Sequence, residues 1–493
     1  MERSTGKGGA LGAIAPEPPR RRLSYNLWLN TRWCRYKRFE RVQDGRRRRW
    51  MSRSKRIPGP MMKYVLLATA AFAVCGAGPV SRISVSANGV QGNNESYNPV
   101  WHPSGCCVAY YTQATNLFAS PAPNPTATQV AMVNLATGTV TNMAPGIAVP
   151  GPAAINTYNC TWCKTRPMFS ADGTKLVFYA EAANGLDPTD TRRFIDIFLE
   201  TVATGAVTRI SGPGGIVGNN SSYVPMITPD GSTAAFITYA TNLLPGMSYR
   251  AAPLVTANLA TGALTMISLT AKGKQENGGI AEPAISPDGT QIAYGTDATN
   301  LAVTPYHSTN IYIRNIAGGP PMLISTTASG TIGNGLSTHP AWSADGTMVA
   351  FQSSATTFGG DGTTPQVYIK NLQTGTLTLV STDASGNPGN GASDHPQFSP
   401  DGTQLAMDTM ATNFASGTAP GTIQVTVKNL TTKTMTVLSV SPSGVPGDGN
   451  SNHPQWSPDG TEIVFASSSD NLVPGDTNRK QDIFLVPAPT AAQ

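Results

Sequence analysis

Two sequence signatures of common enzymes are absent from this chain. It has no Gly-x-Ser-x-Gly sequence, which excludes the nucleophile elbow of an appended serine hydrolase, and it has no phosphate-binding glycine loop. Charged residues are also few, at 13% of 493 residues, whereas the chain contains 50 Gly and 39 Pro. A composition so rich in turn-forming residues favours β-strands joined by turns over helices.

Basic residues are concentrated at the start of the chain. Residues 1–60 hold 17 of the 34 Lys and Arg residues and only four acidic residues. The remaining chain holds 17 basic and 24 acidic residues, a net charge of −7. The net charge of +6 for the whole chain is therefore due to the basic tail. A basic surface for nucleic acid would have to lie in the tail, and we expect no nucleic-acid partner for the folded part.

An export signal follows the basic tail. In "MMKYVLLATAAFAVCGAGPV" (61–80), Lys63 precedes an apolar run over residues 64–74, which is too short to span a bilayer but typical of a signal peptide. We predict a basic, disordered or non-translated extension over residues 1–60 and a signal peptide over 61–78. With Met51 as the true start, residues 1–50 would be an upstream extension without structural role, and "MSRSKR" (51–56) would supply the positive region of the signal. The alternative for the tail is an arm that binds nucleic acid or anionic lipid.

The export signal also predicts the location. Cleavage after Ala77 and lipid attachment at Cys75 both remain open, since small residues precede the first and Phe72-Ala73-Val74 fits the second poorly. Either outcome predicts a periplasmic or extracellular protein, anchored to a membrane only if Cys75 carries a lipid.

One short phrase returns along the whole chain at nearly constant spacing. Residues 393–402 read "SDHPQFSPDG" and residues 451–460 read "SNHPQWSPDG". A period of about 58 residues is typical of a repeat architecture in which each unit packs on its neighbours. The glycine that ends the phrase falls at Gly105, Gly173, Gly231, Gly289, Gly346, Gly402 and Gly460.

Each repeat predicts four antiparallel strands. "HPQWS" is a short apolar strand and "PDG" a turn, and two further hairpins complete a propeller blade. The segment "SRISVSANG" at 81–89 matches the fourth strands, while the chain stops after a third strand, "QDIFLVP". Pairing this N-terminal strand with the last third strand completes the last blade and closes the blades into a ring. We therefore predict an all-β, seven-bladed propeller over residues 79–493, in which the N-terminal strand completes the last blade.

These residues carry a resemblance to a known family. "HPQWSPDGTEIVFAS", followed by "NLVPGDTNRKQDIFLV", resembles the repeat of TolB-like propellers, which are relatives of the WD-repeat propellers. The resemblance covers about residues 81–488 and implies the fold. It implies little about function, because such propellers serve as scaffolds, sugar-active enzymes and protease domains.

The residue before the proline of each phrase is the main candidate for a functional site. Because a residue before proline is pushed toward the extended region, we expect each one to begin the innermost strand of its blade. All seven would then surround one mouth of the central channel, on the wide face. The polar members, which we predict to bind the ligand, are Asn98, Arg166, Glu282, His339, His395 and His453; the seventh is Val224.

Three histidines from adjacent blades suggest a metal site. Neutral imidazoles of His339, His395 and His453 could bind a divalent metal at about 2.0–2.1 Å per bond, with Glu282 as a fourth ligand or a base. Seven-bladed oligogalacturonate lyases, which this fold resembles, carry a His-ligated metal at such a mouth, although their Gln and closely spaced His are not reproduced. The alternative is that each His braces the next blade, so that no cofactor is needed.

Other polar positions are weaker candidates. "GDTNRKQD" places Asp476, Asn478 and Asp482 on one loop with calcium-like spacing, but it lacks a central Gly and a terminal Glu. "CTWC" (160–163) predicts a disulfide staple, with a redox function as the alternative, and Cys106 and Cys107 lie on the opposite face. We expect the repeated serines and asparagines to brace turns by bonding backbone: Ser96, Ser222, Ser337, Ser393, Ser451, Asn116, Asn242 and Asn300.

Three functions fit these features. The first is an exported, non-enzymatic propeller that binds a protein, peptide or glycan on its wide face. The second is a metal-dependent polysaccharide lyase or hydrolase that uses the His cluster at the channel mouth. The third is a structural envelope protein. The first is preferred because the ring is complete without an added domain.

Overall fold

The protein is an all-β propeller of seven four-stranded antiparallel sheets, as the repeat predicted. The computed structural model describes residues 80–119, 128–144, 166–181, 194–248, 251–301, 308–414 and 418–490. The basic extension, the signal peptide and "CTWC" lie outside these ranges, so the predictions made for them stay predictions. None of the described residues forms a helix that is long and apolar enough to cross a membrane.

The first strand of each blade lies innermost. First strands of neighbouring blades contact one another around the ring. These strands are β2 Ser96–Trp101, β6 Met168–Phe169, β10 Ser222–Ile227, β14 Ile280–Ile285, β18 Ser337–Trp342, β22 Ser393–Phe398 and β26 Ser451–Trp456.

The second and third strands form the buried body of each blade. The second strands are β3 Cys107–Thr112, β7 Lys175–Glu181, β11 Thr233–Thr238, β15 Gln291–Thr296, β19 Met348–Ser353, β23 Gln404–Thr409 and β27 Glu462–Ser467. The third strands are β4 Gln129–Asn134, β8 Ile195–Thr201, β12 Leu254–Asn258, β16 Asn310–Asn315, β20 Gln366–Asn371, β24 Gln424–Asn429 and β28 Asp482–Pro487.

The fourth strands are short and lie at the outer edge. They are β5 Val140–Asn142, β9 Ala206–Arg209, β13 Leu264–Met266, β17 Met322–Leu323, β21 Leu377–Leu379, β25 Met435–Val437 and β1 Ser81–Arg82. Two short 3₁₀ turns, Pro213–Gly215 and Thr356–Phe358, complete the regular structure of the described residues.

Aromatic pairs fill the space between blades. Residues that face each other on the second and third strands stack with ring centroids about 6 Å apart, as Phe465 and Phe484 do at 5.9 Å. Cross-strand aromatic pairs stabilise a sheet beyond the area that they bury. Tryptophans join neighbouring blades, because Nε1 of Trp456 donates to the carbonyl of Gln397 at 3.1 Å and Nε1 of Trp101 donates to that of Gln455 at 3.1 Å.

The N-terminal strand closes the ring as predicted, over fewer residues than expected. Ser81 pairs with Leu485 and Arg82 with Phe484, and the N–H of Ile83 donates to the carbonyl of Ile483. The segment that matched the fourth strands extended to residue 89, but residues 86–90 form a hairpin, in which the N–H of Ser86 donates to the carbonyl of Val90. The closing strand is therefore the fourth strand of the last blade, as short as its counterparts.

Candidate functional site

All seven residues before the repeated prolines line one central cavity. The cavity has a volume of about 110 Å³, room for about three water molecules. It therefore accepts an ion with its water or one small functional group. The lining set is Asn98, Arg166, Val224, Glu282, His339, His395 and His453, together with the prolines that follow several of them and, one residue further on, Met168, Met226, Ala284, Gln397 and Gln455.

The backbone at these positions is not extended, so that expectation is wrong. Six of the seven have a left-handed backbone, with φ between 34° and 57°. They occupy the third position of a six-residue strand, where the pairing with the second strand shifts register. A bulge of this kind re-aims a side chain, and strained backbone of this kind concentrates at functional sites. The six are Asn98, Val224, Glu282, His339, His395 and His453.

Arg166 is the exception on the ring. It precedes β6, which has only two residues, and it is not one of the described residues with a left-handed backbone. Burial lowers the pKa of Arg166 to about 10, so the guanidinium still carries its charge at neutral pH. It is the one cation among the seven, and it shares the cavity with the histidines.

His339 lies between two carboxylates. Its Nε2 is 2.5 Å from Oε2 of Glu282, and its Nδ1 is 2.8 Å from Oδ1 of Asp394. A neutral imidazole carries one proton, so a second proton must lie between Nε2 and Glu282 when both nitrogens face carboxylates. Burial lowers the pKa of His339, although Asp394 opposes this effect.

His395 and His453 continue the cluster. The rings of His339 and His395 have centroids 4.5 Å apart, and those of His395 and His453 are 4.3 Å apart. Nδ1 of His395 is 2.8 Å from Oδ2 of Asp408, and Nδ1 of His453 is 2.8 Å from Oδ1 of Asn452. His395 and His453 thus each have an oxygen acceptor at Nδ1, and Nδ1 of His339 lies close to the carboxylate of Asp394.

This pattern selects the tautomer of His395 and His453. A carboxylate or amide oxygen can only accept, so in these two neutral imidazoles Nδ1 carries the hydrogen and Nε2 keeps its lone pair, whereas His339 faces a carboxylate at both nitrogens. Metal-binding histidines have the same arrangement, in which a carboxylate or carbonyl holds the second nitrogen. The ligand atoms of Glu282, His339 and His395 lie within 4.8 Å of one another. This donor set fits a divalent metal, and His453 lies beside the set rather than in it.

The charges of the site also favour a cation. Burial works against ionisation of Asp394, but His395 and His339 outweigh it and hold the pKa of Asp394 below its usual range. Asp394 and Asp408 join neighbouring blades, since Oδ2 of Asp408 also accepts from the backbone N–H of His453 at 3.2 Å. With Glu282 there are three acids against Arg166, so a divalent cation would balance the mouth.

Sequence reasoning missed the acids and amides that hold the imidazoles. Asp394 and Asn452 directly precede a histidine of the phrase, and this position was the available signal. Asp408 lies in the second strand of its blade, and nothing in the sequence relates it to His395 before the two strands pair. Gln397 and Gln455, two residues after the histidines, also line the cavity.

The calcium-like loop has a different role. Asp476 and Asp482 accept hydrogen bonds from Gln91 at 2.7 and 2.9 Å, and the guanidinium of Arg82 lies 3.1 Å from Asp476 and 3.6 Å from Asp482. Asn478 donates to the carbonyl of Gly92. A guanidinium and amides of the N-terminal segment therefore occupy these oxygens, and the loop holds the closing strand.

The repeated serines and asparagines differ from each other. The asparagines brace turns as expected, since Asn116, for example, donates to the carbonyl of Gln91 at 2.8 Å. The expectation for the serines is wrong, because their hydroxyls pair mainly across the strands with a hydroxyl of the second strand. Ser451 with Ser467 at 2.8 Å is one such pair. Cys106 and Cys107, neighbours in the sequence, form a disulfide.

A ring of seven blades with a polar central mouth defines a β-propeller with a candidate site at its channel. Residues 216–473 match the family model of the TolB beta propeller domain, and the chain belongs to that family. No curated protein matches this sequence.

Solved structures share the fold at low identity. An oligogalacturonate lyase in complex with manganese is 14% identical, with 84% of this chain and 94% of that chain covered and a TM-score of 0.53. An oligogalacturonate lyase from Vibrio parahaemolyticus is 16% identical, with the same shares covered and a TM-score of 0.52. A puromycin-hydrolyzing peptidase of Mycobacterium tuberculosis is 14% identical, with 85% and 56% covered and a TM-score of 0.50. Identities this low show a common fold only.

Proposed function

We propose that the channel mouth binds a divalent metal ion, and that the loaded mouth is where this exported propeller binds a glycan, peptide or protein ligand. The observation that carries the proposal is that the ligand atoms of Glu282, His339 and His395 lie within 4.8 Å of one another, while Asp408 accepts from Nδ1 of His395 and so leaves the lone pair of that ring on Nε2. A metal would be held by Nε2 of His339, Nε2 of His395 and Glu282.

The chain's own groups prepare the site for a cation. The proton between Glu282 and His339 must leave before both can act as ligands, so metal binding is expected to release a proton. Asp394 and Asp408 keep the rings in place by holding Nδ1. When bound, the metal would supply Lewis-acid attraction for an oxygen of the ligand.

The size of the cavity limits what enters it. A volume of about 110 Å³ admits one functional group, so the body of a glycan, peptide or protein would lie on the wide face. The mouth carries three acids without metal, and it would repel an anionic group until a cation is bound. Arg166 then offers a second charge for a carboxylate that enters the cavity.

A second candidate is a metal-dependent lyase or hydrolase that acts on a polysaccharide. The observation that favours it is the fold shared with an oligogalacturonate lyase in complex with manganese, over 94% of that chain. In this case Glu282 or Arg166 would meet the substrate beside the metal. Turnover of an acidic polysaccharide by the loaded protein would distinguish this candidate from binding alone.

The test uses the mature protein after chelation and dialysis. Calorimetric titration with Mn²⁺ and with Zn²⁺ should show one site per chain, and the double variant His339→Ala with His395→Ala should lose it. His102→Gln removes an imidazole at the other end of an inner strand and should bind as the parent does. Binding to a glycan and peptide panel is then compared with and without metal.

The outcomes separate the proposals. Lost metal and lost ligand binding in a stable double variant support the site. A parent that binds neither metal, together with a double variant of lowered stability, means that the histidines only brace the blades. That result would leave ligand binding without metal and a structural envelope role as the remaining functions, and the glycan and peptide panel without metal distinguishes them.

A further inference from the structure

The inner turn of blade 1 departs from those of the other six blades. In those six, a Ser or Thr hydroxyl donates to the Asp two residues later at 2.5–2.6 Å. Blade 1 instead reads His102-Pro103-Ser104-Gly105 and continues with Cys106 and Cys107. Four residues that can carry reactive chemistry therefore lie within six positions, at the opposite end of the inner strand from the channel mouth.

The contacts of His102 select its tautomer. Its Nε2 lies 3.3 Å from the carbonyl of Gly173, which can only accept, so Nε2 carries the hydrogen in the neutral ring. Nδ1 accepts from the backbone N–H of Ser104 at 3.2 Å and lies 2.8 Å from the Ser104 hydroxyl. The lone pair of Nδ1 is thus on the side of Cys106, whose sulfur is 4.0 Å away.

The two cysteines differ in accessibility. Cys106 is exposed, whereas Cys107 is 5% exposed at the start of β3. Their direct succession keeps the two sulfurs close whether they are bonded or reduced. An exposed thiol beside an imidazole base and a second thiol is the usual arrangement of a reactive cysteine with its resolving partner.

We propose that Cys106, Cys107 and His102 form a second reactive site, a dithiol–disulfide pair that exchanges with dithiol compounds. Cys106 is the reacting thiol, Cys107 resolves, and His102 is the base that takes the proton from Cys106. This site is independent of the channel mouth and of the metal proposed there.

The exchange balances in two steps. A thiolate of the dithiol bonds to the exposed Cys106 sulfur, the Cys106–Cys107 bond breaks, and Cys107 leaves as a thiolate that takes a proton from water. The second thiolate of the dithiol then attacks the first sulfur of the same dithiol, which is bonded to Cys106 in the mixed disulfide. Cys106 leaves as a thiolate beside His102, and the dithiol becomes a cyclic disulfide. Two electrons pass to the protein, and the reverse sequence restores its disulfide.

The test measures the reactivity of Cys106 after reduction of the full chain with dithiothreitol. The reduced protein is alkylated with iodoacetamide from pH 5.5 to 9, and mass spectrometry reports the rate at each cysteine. An ordinary thiol has a pKa near 8.5, so about one thiolate in a hundred is present at pH 6.5. With His102 as base, Cys106 should react at least about ten-fold faster than Cys107 at that pH.

The matched variant restores the turn of the other blades. His102→Ser with Ser104→Asp recreates the Ser-Pro-Asp-Gly sequence that folds in blades 4, 6 and 7, so it removes the base without removing the turn. Its Cys106 should lose the fast reaction at pH 6.5 and keep the rate of an ordinary thiol at pH 9. Equal profiles in the parent and the variant, or faster alkylation of Cys107 than of Cys106, would overturn the proposal.

Discussion

Ser84 and Asp482 are 398 residues apart in the sequence, yet the Ser84 hydroxyl donates a hydrogen bond of 2.5 Å to Oδ1 of Asp482. The same pairing, from the end of the fourth strand to the start of the third, occurs inside other blades. It is made by Ser211 with Asp196, Ser325 with Asn310, Ser381 with Gln366 and Ser439 with Gln424. The N-terminal segment therefore serves as the fourth strand of the last blade, and it also makes the hydrogen bond that follows the fourth strand in other blades.

Deletion of residues 81–89 should destabilise the whole ring. It would open the edge of β28 and leave Asp482 buried without Ser84 or Arg82, and breaking a buried charge pair costs about 3–5 kcal/mol. We expect a loss of at least about 3 kcal/mol of unfolding free energy in urea, with aggregation. A truncated protein that unfolds at the same urea concentration as the parent would contradict the closure.

A single substitution isolates the charge pair from the strand. Arg82→Gln should lose about 3 kcal/mol because two acids, 2% and 0% exposed, then lack their guanidinium. The control is Arg479→Gln, whose side chain is 89% exposed and 3.9 Å from Asp470. Exposed pairs contribute less than about 1 kcal/mol, so the control should unfold as the parent does.

Glu276 should make stability fall as the pH rises. It occupies a position that is Gly in most other repeats, it is 2% exposed, and burial raises its pKa to about 7. The hydroxyl of Tyr294 donates to it at 2.7 Å. A carboxyl group with a raised pKa contributes its full stability below the unfolded value of 4.5, and this stability is lost as the pH rises from 4.5 to about 7.

Glu276→Gln should therefore stabilise the protein at pH 8 by on the order of 2 kcal/mol and change little at pH 4.5. The matched control has the opposite sign. Hydrogen bonds from Ser343 and Thr347 lower the pKa of Asp345, so Asp345→Asn should destabilise the protein at pH 8, and by less as the pH falls below the ordinary value of 3.8. Thermal unfolding at these pH values measures both, and equal shifts of Glu276→Gln at pH 4.5 and 8 would refute the assignment.

Asp394→Asn should weaken metal binding at the mouth by about 10–100-fold while the blades stay folded. The reason is that the carboxylate of Asp394 lies 2.8 Å from Nδ1 of His339, and a neutral amide at this place attracts the imidazole less strongly. Asp401→Asn, in the turn at the other end of the same inner strand, is the control and should bind metal as the parent does. Calorimetric titration compares the three proteins.

Protons should compete with the metal at neutral pH as well as in acid. The proton shared by Glu282 and His339 must leave before both can bind the metal, so the affinity should rise with pH. We expect a gain of about ten-fold per pH unit over the range in which the free site holds that proton. An affinity independent of pH between 5 and 8 would argue against imidazole ligands.

The mature protein should begin near residues 75–78. The apolar run over residues 64–74 after Lys63 is the basis of this prediction. Intact-mass measurement of exported material gives the answer, and a lipid on Cys75 would appear as added mass. A mature chain that starts at Met1 would refute both the signal peptide and the exported location.

The sequence by itself determined the fold, since each repeat contains a complete strand and turn pattern. The period is near 58 residues, each inner turn has a Gly, and each end of the repeat region has one strand without a partner. Together these features predict a closed ring of seven blades. The same period placed the residues before the prolines around one mouth. Local sequence sufficed here because identical units pack in identical ways.

Only the tertiary structure decided the chemistry of that mouth. The left-handed backbone of His339 and His395 is unfavourable before proline, and neighbouring blades must maintain it; local preference therefore pointed to the wrong conformation. Asp408 meets His395 only because two strands pair, and Arg82 meets Asp482 only because the ring closes. These partners depend on which blades become neighbours in space, a relation that no local pattern of residues contains.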